Sequence, residues 1–203
     1  MPVRPQSHYA RGHARRAKVL EATIEVIAER GIEGVTHRSV AARAEVPSST
    51  PSYFFTSIDE LIGAAITTIA EQVVTAVDEL ITAATAGVVD EDEFADQLVE
   101  LMSDARPQLV RVQFEAYLAS ERRPDLQAPV QEIMRGFDAA TAQALRAVGV
   151  VDADLVARQF VAVIDGFALH RIAWSRGEED RAALTAVLRR LLDSYRGEGR
   201  APA

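Results

Sequence analysis

HRSVAARAEVPSSTPSYFFTSIDELI, residues 37–62, is the stretch whose reading decides the fold. Its opening part, His37 to Ala44, puts Val40, Ala41 and Ala44 on one face at helical spacing, and Thr36 just before it is a type that caps helix N-termini. Glu45-Val46-Pro47 breaks the pattern. A short helix resumes from about Ser48 to Phe54, with Pro51 in its first turn, where a missing N–H is tolerated. Ser57-Ile58-Asp59-Glu60 has the serine-x-x-glutamate spacing of a capping box and opens the next helix. Two short helices joined by about three residues have the size and order of a helix-turn-helix, whose second member enters the major groove.

Upstream, Val19, Leu20, Ala22, Thr23, Val26 and Ile27 follow helical spacing within Ala14–Arg30, and Gly31 is the expected C-terminal cap. Downstream, Leu61, Ile62, Ala65, Ile66, Ile69, Val73, Val77, Leu80 and Ile81 carry the inner face of a long helix to about Ala86. Such a helix spans roughly 40 Å, enough to link two domains. Further helices are expected over Glu91–Ala105, Pro107–Arg122, after Pro124 to Val148, from a cap at Asp152 to Arg176, and over Glu179–Arg196. No sustained period-2 alternation suggests strands. The predicted fold is all-α: an N-terminal three-helix helix-turn-helix domain, residues 1–56 with a basic arm, and a C-terminal helical bundle for ligand binding and dimerisation, residues 57–203.

Composition narrows the function classes. The chain has 203 residues, 48% hydrophobic and 26% charged, as ordinary globular proteins do. It contains no cysteine, which excludes disulfides, thiolate metal sites and cysteine nucleophiles. Arg4, Arg11, Arg15 and Arg16 stand near the start without an apolar run, unlike a signal peptide. The most apolar stretch, Leu61–Val77, is interrupted by Glu71 and Gln72, so no membrane span and a soluble, cytoplasmic protein are expected. The net charge is −8, but it is unevenly spread. Residues 1–60 hold eight Lys and Arg against seven Asp and Glu, and the remainder holds 14 against 23. A basic end on an acidic body suits a chain that meets phosphate at that end.

The order of residues resembles the TetR (tetracycline-repressor) family of bacterial regulators. RRAKVLEATIEVIAERGIEGVT, residues 15–36, is similar to its first helix. Residues 37–62 resemble its helix-turn-helix and the entry to its fourth helix, and DGFALHRIAW, 165–174, adds a further fragment. Three departures stand out. The usual Ala-Gly-Val-Ser turn is Ala44-Glu45-Val46-Pro47, the common Tyr-His-Phe is Tyr53-Phe54-Phe55, and Ile58 stands where a phosphate-binding lysine is frequent.

The resemblance implies a DNA-binding transcriptional regulator, a repressor that leaves a palindromic double-stranded operator when a small apolar or amphipathic ligand binds. Phosphate contacts supply position and most of the affinity, and base-edge contacts supply sequence preference. The candidate DNA-binding residues are Thr36 and Arg38 at the start of the second helix, Ser48, Ser49, Thr50 and Ser52 around the recognition helix, Tyr53, and Ser57. Tyr53 matches the family tyrosine that bonds the backbone. Arg11, Arg15 and Arg16 are candidates for an added arm, and Pro51 for an apolar contact with a thymine methyl. Phe55 matches the family's inward aromatic.

The helix from Asp152 is apolar nearly all round. Val156, Phe160, Val163, Ile164, Phe167 and Trp174 line one side, and Leu155, Ala162, Leu169 and Ala173 another. Two apolar faces need two covers, so a homodimer through the last two helices is expected, or burial of both faces within one chain. Candidate effector contacts are Met102, Phe114, Tyr117, Met134, Phe137, Phe167, His170 and Trp174, because methionine and aromatic residues make adaptable apolar walls. Glu115, Asp138 and Asp165 are candidates to add charge for a cationic effector.

Catalysis has little in its favour. His8, His13, His37 and His170 stand in no E-x-x-H or H-E-x-x-H arrangement, and no G-x-S-x-G, P-loop or G-x-G-x-x-G occurs. No catalytic residue, cofactor or metal is expected. The alternative left open is a helical ligand-binding or interaction protein of the same fold without specific DNA binding.

Overall fold

The computed structural model describes residues 6–87, 93–94, 96–97, 100–101 and 107–198. Their regular structure is helical: α1 (Gln6–Arg30), α2 (His37–Arg43), α3 (Thr50–Phe54), α4 (Ile58–Thr85), α5 (Pro107–Arg122), α6 (Gln127–Ala147), α7 (Ala153–Ala173) and α8 (Glu178–Glu198). Short 3-10 turns, Ile32–Gly34 and Pro124–Leu126, fall where Gly31 and Pro124 interrupt the pattern. Most of the expected 91–105 helix lies outside the described residues, as does Met102.

Contacts gather the chain into two units, Met1–Ile69 with Arg111–Glu132, and Ala70–Val110 with Ile133–Ala203. This differs from a cut after residue 56. Three contacts attach 111–132 to the N-terminal helices. The Ile32 N–H donates to Glu115 Oε2 at 3.3 Å, Arg123 pairs with Asp59 at 3.1 Å, and Pro129 lies so close to Gly63 that a Cβ there would meet its ring at 3.1 Å.

In the first unit, α1 buries Val19, Leu20, Ala22, Thr23, Val26 and Ile27, as its periodicity predicts. It begins at Gln6 rather than Ala14, because no breaker lies between Pro5 and Gly31 apart from the tolerated Gly12. Gly31 closes it with φ +69, a left-handed conformation that side chains resist. Its N–H donates to the Ile27 carbonyl at 2.8 Å. Leu61, Ile62, Ala65, Ile66 and Ile69 carry α4 into this core beside Phe55. By length and composition, Ile58–Ala84 is apolar enough to cross a membrane, yet 47% of its most apolar window is buried inside the protein, as in a core helix.

In the second unit, Val77, Phe94, Ala140 and Ala144 form one buried cluster. A larger one joins Ala142, Leu145 and Val150 to Val156, Ala157 and Phe160 of α7 and Leu184, Leu188 and Leu192 of α8. The helices α7 and α8 form a hairpin, latched where the Tyr195 hydroxyl donates to Gln159 Oε1 at 2.6 Å. In the turn between them, the buried Asp180 carboxylate accepts the Arg176 N–H at 2.8 Å. Two expectations shift here. Asp152 stands at the N-cap of α7 without a side-chain capping bond, and the helix stops at Ala173 because Trp174 turns extended.

Leu145 is 1% exposed where α6 meets that larger cluster. Leu145→Ala is expected to lower unfolding free energy by about 3 kcal/mol, measured by urea denaturation.

Candidate nucleic-acid interface

The recognition helix α3 is only five residues long, so packing rather than propensity holds it. Its turn is set by a chain of backbone bonds. The Thr50 N–H donates to the Pro47 carbonyl at 2.8 Å, the Tyr53 N–H to Ser49 at 3.1 Å, and the Phe55 N–H to Pro51 at 3.0 Å. That register sorts the side chains. Thr50, Pro51 and Phe55 point inward, whereas Ser48, Ser49, Ser52 and Tyr53 point to solvent. Tyr53 is 82% exposed and braced edge-on against Phe54, ring centroids 5.1 Å apart.

Two candidate residues fall on the inner side of this sorting: Thr50 is 8% exposed, and Pro51, expected to meet a thymine methyl, is buried. Ser49 and Thr50 are adjacent hydroxyls, but about 100° of helical rotation separates them, and the inner side belongs to the core.

At the start of α2, Thr36 accepts the Ser39 N–H at 2.9 Å while Ser39 Oγ accepts the Thr36 N–H at 2.9 Å. This reciprocal cap uses serine where glutamate is common. It presents Thr36 and Arg38 exposed on the first turn. Ser57 accepts the Glu60 N–H at 3.0 Å and caps α4. The Glu60 carboxylate reaches one residue further back, accepting both the N–H and the hydroxyl of Thr56 at 2.6 Å. Those bonds, the Thr56 hydroxyl first, hold its carboxyl below the ordinary range. At the two positions where the resembled family often has His and Lys, Phe54 and Ile58 are half-buried.

Three features escape a reading of sequence alone. Arg43 of α2 grips two glutamates of α1, Glu29 and, at 3.2 Å, Glu25. The hydrogen bond to Glu29 raises the guanidinium's pKa further and lowers that carboxyl's. Arg16 stacks over the Phe55 ring, 5.1 Å from its centroid. Glu45 holds φ +52 in the turn before α3, beside Lys18 at 3.9 Å. That conformation costs a non-glycine residue about 1 kcal/mol. The only sequence signal for the clamp was the i, i+4 spacing of Glu25 and Glu29, which shares a helix face.

The candidate effector residues fall in both units and are described within each. In the first, Phe114 and Tyr117 are half-buried and meet edge to face at 5.8 Å, with the Tyr117 hydroxyl accepting from Gln113 Nε2 at 2.9 Å. In the second, Phe137 and Phe167 are half-buried, Phe167 against the α7–α8 cluster. Met134 and His170 are exposed. Trp174 is 70% exposed beyond the end of α7, under the Arg176 guanidinium at 4.3 Å. In the single chain neither His170 nor Trp174 is enclosed.

Residues 19–65 match the sequence profile of bacterial regulatory proteins of the tetR family, and residues 89–194 match that of the tetracyclin repressor-like C-terminal domain. The HTH-type transcriptional regulator PksA of Bacillus subtilis (strain 168) is 28% identical over 163 residues, 77% of this chain and 78% of that one. Among solved structures, the transcriptional regulator SCO7518 of Streptomyces coelicolor A3(2) is 31% identical with a TM-score of 0.67, over 88% of this chain and 98% of its own. The multidrug binding protein EbrR, in complex with proflavin, is 30% identical with a TM-score of 0.58, over 87% of this chain and 99% of its own.

Because the Arg43 bond depresses Glu29, that carboxylate favours the folded state above the ordinary carboxylate pKa, and the benefit is lost as pH falls through its depressed value. Carbon-13 titration of the Glu29 carboxyl is expected to show a midpoint below the ordinary range that returns to it in Arg43→Gln.

Proposed function

The chain belongs to the tetracycline-repressor family of bacterial transcriptional regulators, and from that premise we propose that it is a cytoplasmic, homodimeric repressor released from a palindromic operator by a small ligand. The observation that carries the reading is the outward group Ser48 and Ser49 in the turn and Ser52 and Tyr53 on the short helix that follows, whose other side is core. Short hydroxyls let the backbone come close to base edges, and the tyrosine reaches a phosphate. Thr36, Arg38 and Ser57 supply phosphate contacts on either side. Thr50 contributes through its place in the turn. In this division of labour residues 1–56 read DNA, and residues 57–203 hold the effector and the dimer contact.

One such helix covers only a few base pairs, so a two-fold pair on two half-sites is the economical arrangement. The exposed apolar side chains of α7, Leu155, Leu169 and Ile172, support pairing through α7 and α8. Leaving that face wet would strand apolar area worth about 25 cal/mol per Å².

The effector is proposed to be small and apolar or amphipathic; its candidate contacts are Phe114 and Tyr117 in the first unit and Met134, Phe137, Phe167, His170 and Trp174 in the second, with Met102 a further candidate. EbrR is described with proflavin and with ethidium, flat aromatic dyes of that kind. Ligand binding lowers operator affinity by the coupling energy, typically ~1–3 kcal/mol.

Two measurements test this reading. The double variant Tyr53→Phe with Arg38→Ala is expected to weaken binding to the promoter beside its own gene by tenfold or more, roughly two lost polar contacts. Unchanged binding in a gel shift removes the contact assignment. Leu155→Glu with Leu169→Glu is expected to give a monomer in sedimentation and to abolish operator binding. A dimer that survives both charges places the interface elsewhere.

A further inference from the structure

The inward stripe of α1 does not end where the domain does. Val19, Ala22, Thr23 and Val26 face the core, and the same face continues toward the N-terminus through Gly12, Arg15 and Arg16. There the face opens to solvent. A Cβ built on Gly12 meets nothing within 4 Å, and Arg11, His13, Arg15 and Arg16 are exposed. The side of the helix that is apolar further along is basic here.

The electrostatics point the same way. From Gln6 through Leu20 there is no acidic residue, against Arg11, Arg15, Arg16 and Lys18, in a chain whose net charge is −8. Helices favour an acid in the first turn to balance the positive end of their dipole, and α1 has none. An exposed helical face that is positive in side chains and in dipole fits a polyanion.

Its place in the domain selects which polyanion. Lys18 reaches Glu45 in the turn that precedes α3, and Arg16 stacks on Phe55, the residue that closes it. The basic segment is therefore the N-terminal continuation of the part of α1 that contacts the residues on either side of the recognition helix. From Arg16 back to Gln6 it extends about 15 Å, roughly four base-pair steps at 3.4 Å.

We propose that residues 6–15 form a rigid helical strut that binds duplex phosphates outside the major-groove half-site, Arg11 and Arg15 being its contact residues. The proposal rests on the DNA-binding reading above and adds that recognition extends past the bases read by α3. Because the strut is the same helix that packs the core, it contacts DNA in a set register with α3, as a floppy tail would not.

The test uses the full-length chain and two operator duplexes obtained by selection from a random pool. One ends at the outer base pairs of the half-sites, and the other carries about six further base pairs on each side. Fluorescence anisotropy across a salt series is expected to show wild type binding the longer duplex roughly tenfold tighter, with a steeper salt slope by about two per strut. Arg11→Ala with Arg15→Ala removes that length advantage, so that the two duplexes bind alike. Gly12→Pro keeps every charge but breaks the helix, and it removes the advantage too. A length advantage that persists in the double arginine variant, or none in wild type, overturns the strut. An advantage retained by Gly12→Pro overturns its rigidity. A selection that enriches no sequence overturns the DNA-binding reading, and the strut with it.

Discussion

A five-residue helix has no stability of its own, since forming its first turn fixes several residues for a single hydrogen bond. What holds α3 in place is the burial of Thr50, Pro51 and Phe55 against the other helices of its unit, with Arg16 closing over the Phe55 ring. Burying one phenylalanine is worth about 1.5–3 kcal/mol, more than any intrinsic preference in this segment. The same burial chooses which residues face out. Ser48, Ser49, Ser52 and Tyr53 face solvent because their neighbours are committed to the core, so the fold and this outward surface come from one packing event.

The polar contacts around that core set angles more than they add stability. Arg43 ties α2 to α1 through Glu25 and Glu29, partly exposed pairs of a kind that contributes little free energy in water. Their geometry still restricts how α2 can roll on α1. The Asp59–Arg123 pair is somewhat more enclosed, each side chain 26% exposed. Together with the bond from Ile32 to Glu115, it makes residues 111–132 part of the same compact unit as the DNA-reading helices. Displacing the end of α5 would break contacts at both the turn after α1 and the start of α4.

In the other unit, the hairpin of α7 and α8 buries Phe160, Leu184, Leu188 and Leu192 and leaves Leu155, Leu169, Ile172 and Trp174 exposed. Both sides were visible as apolar in the sequence. Only the folded chain separates the side that its own residues cover from the side that stays exposed.

Taken alone, the sequence determined what depends on near neighbours along the chain. The three- and four-residue spacing of apolar side chains, glycine at residue 31, proline at 107 and 124, and hydroxyls at 36 and 57 each act within a turn or two, and they marked most helices and caps within a few residues. Tertiary structure decided what depends on rotation about a helix axis and on residues far apart. Whether Ser49 or Thr50 meets solvent turns on which side of α3 the core takes. The Arg43 clamp joins positions 14 and 18 residues apart, and the Glu115 contact to Ile32 joins positions 83 apart. Trp174 left its helix because its backbone turned extended after Ala173, which no spacing rule encodes. Local propensity is additive along the chain, whereas the facing of a helix is settled only when all its neighbours are in place.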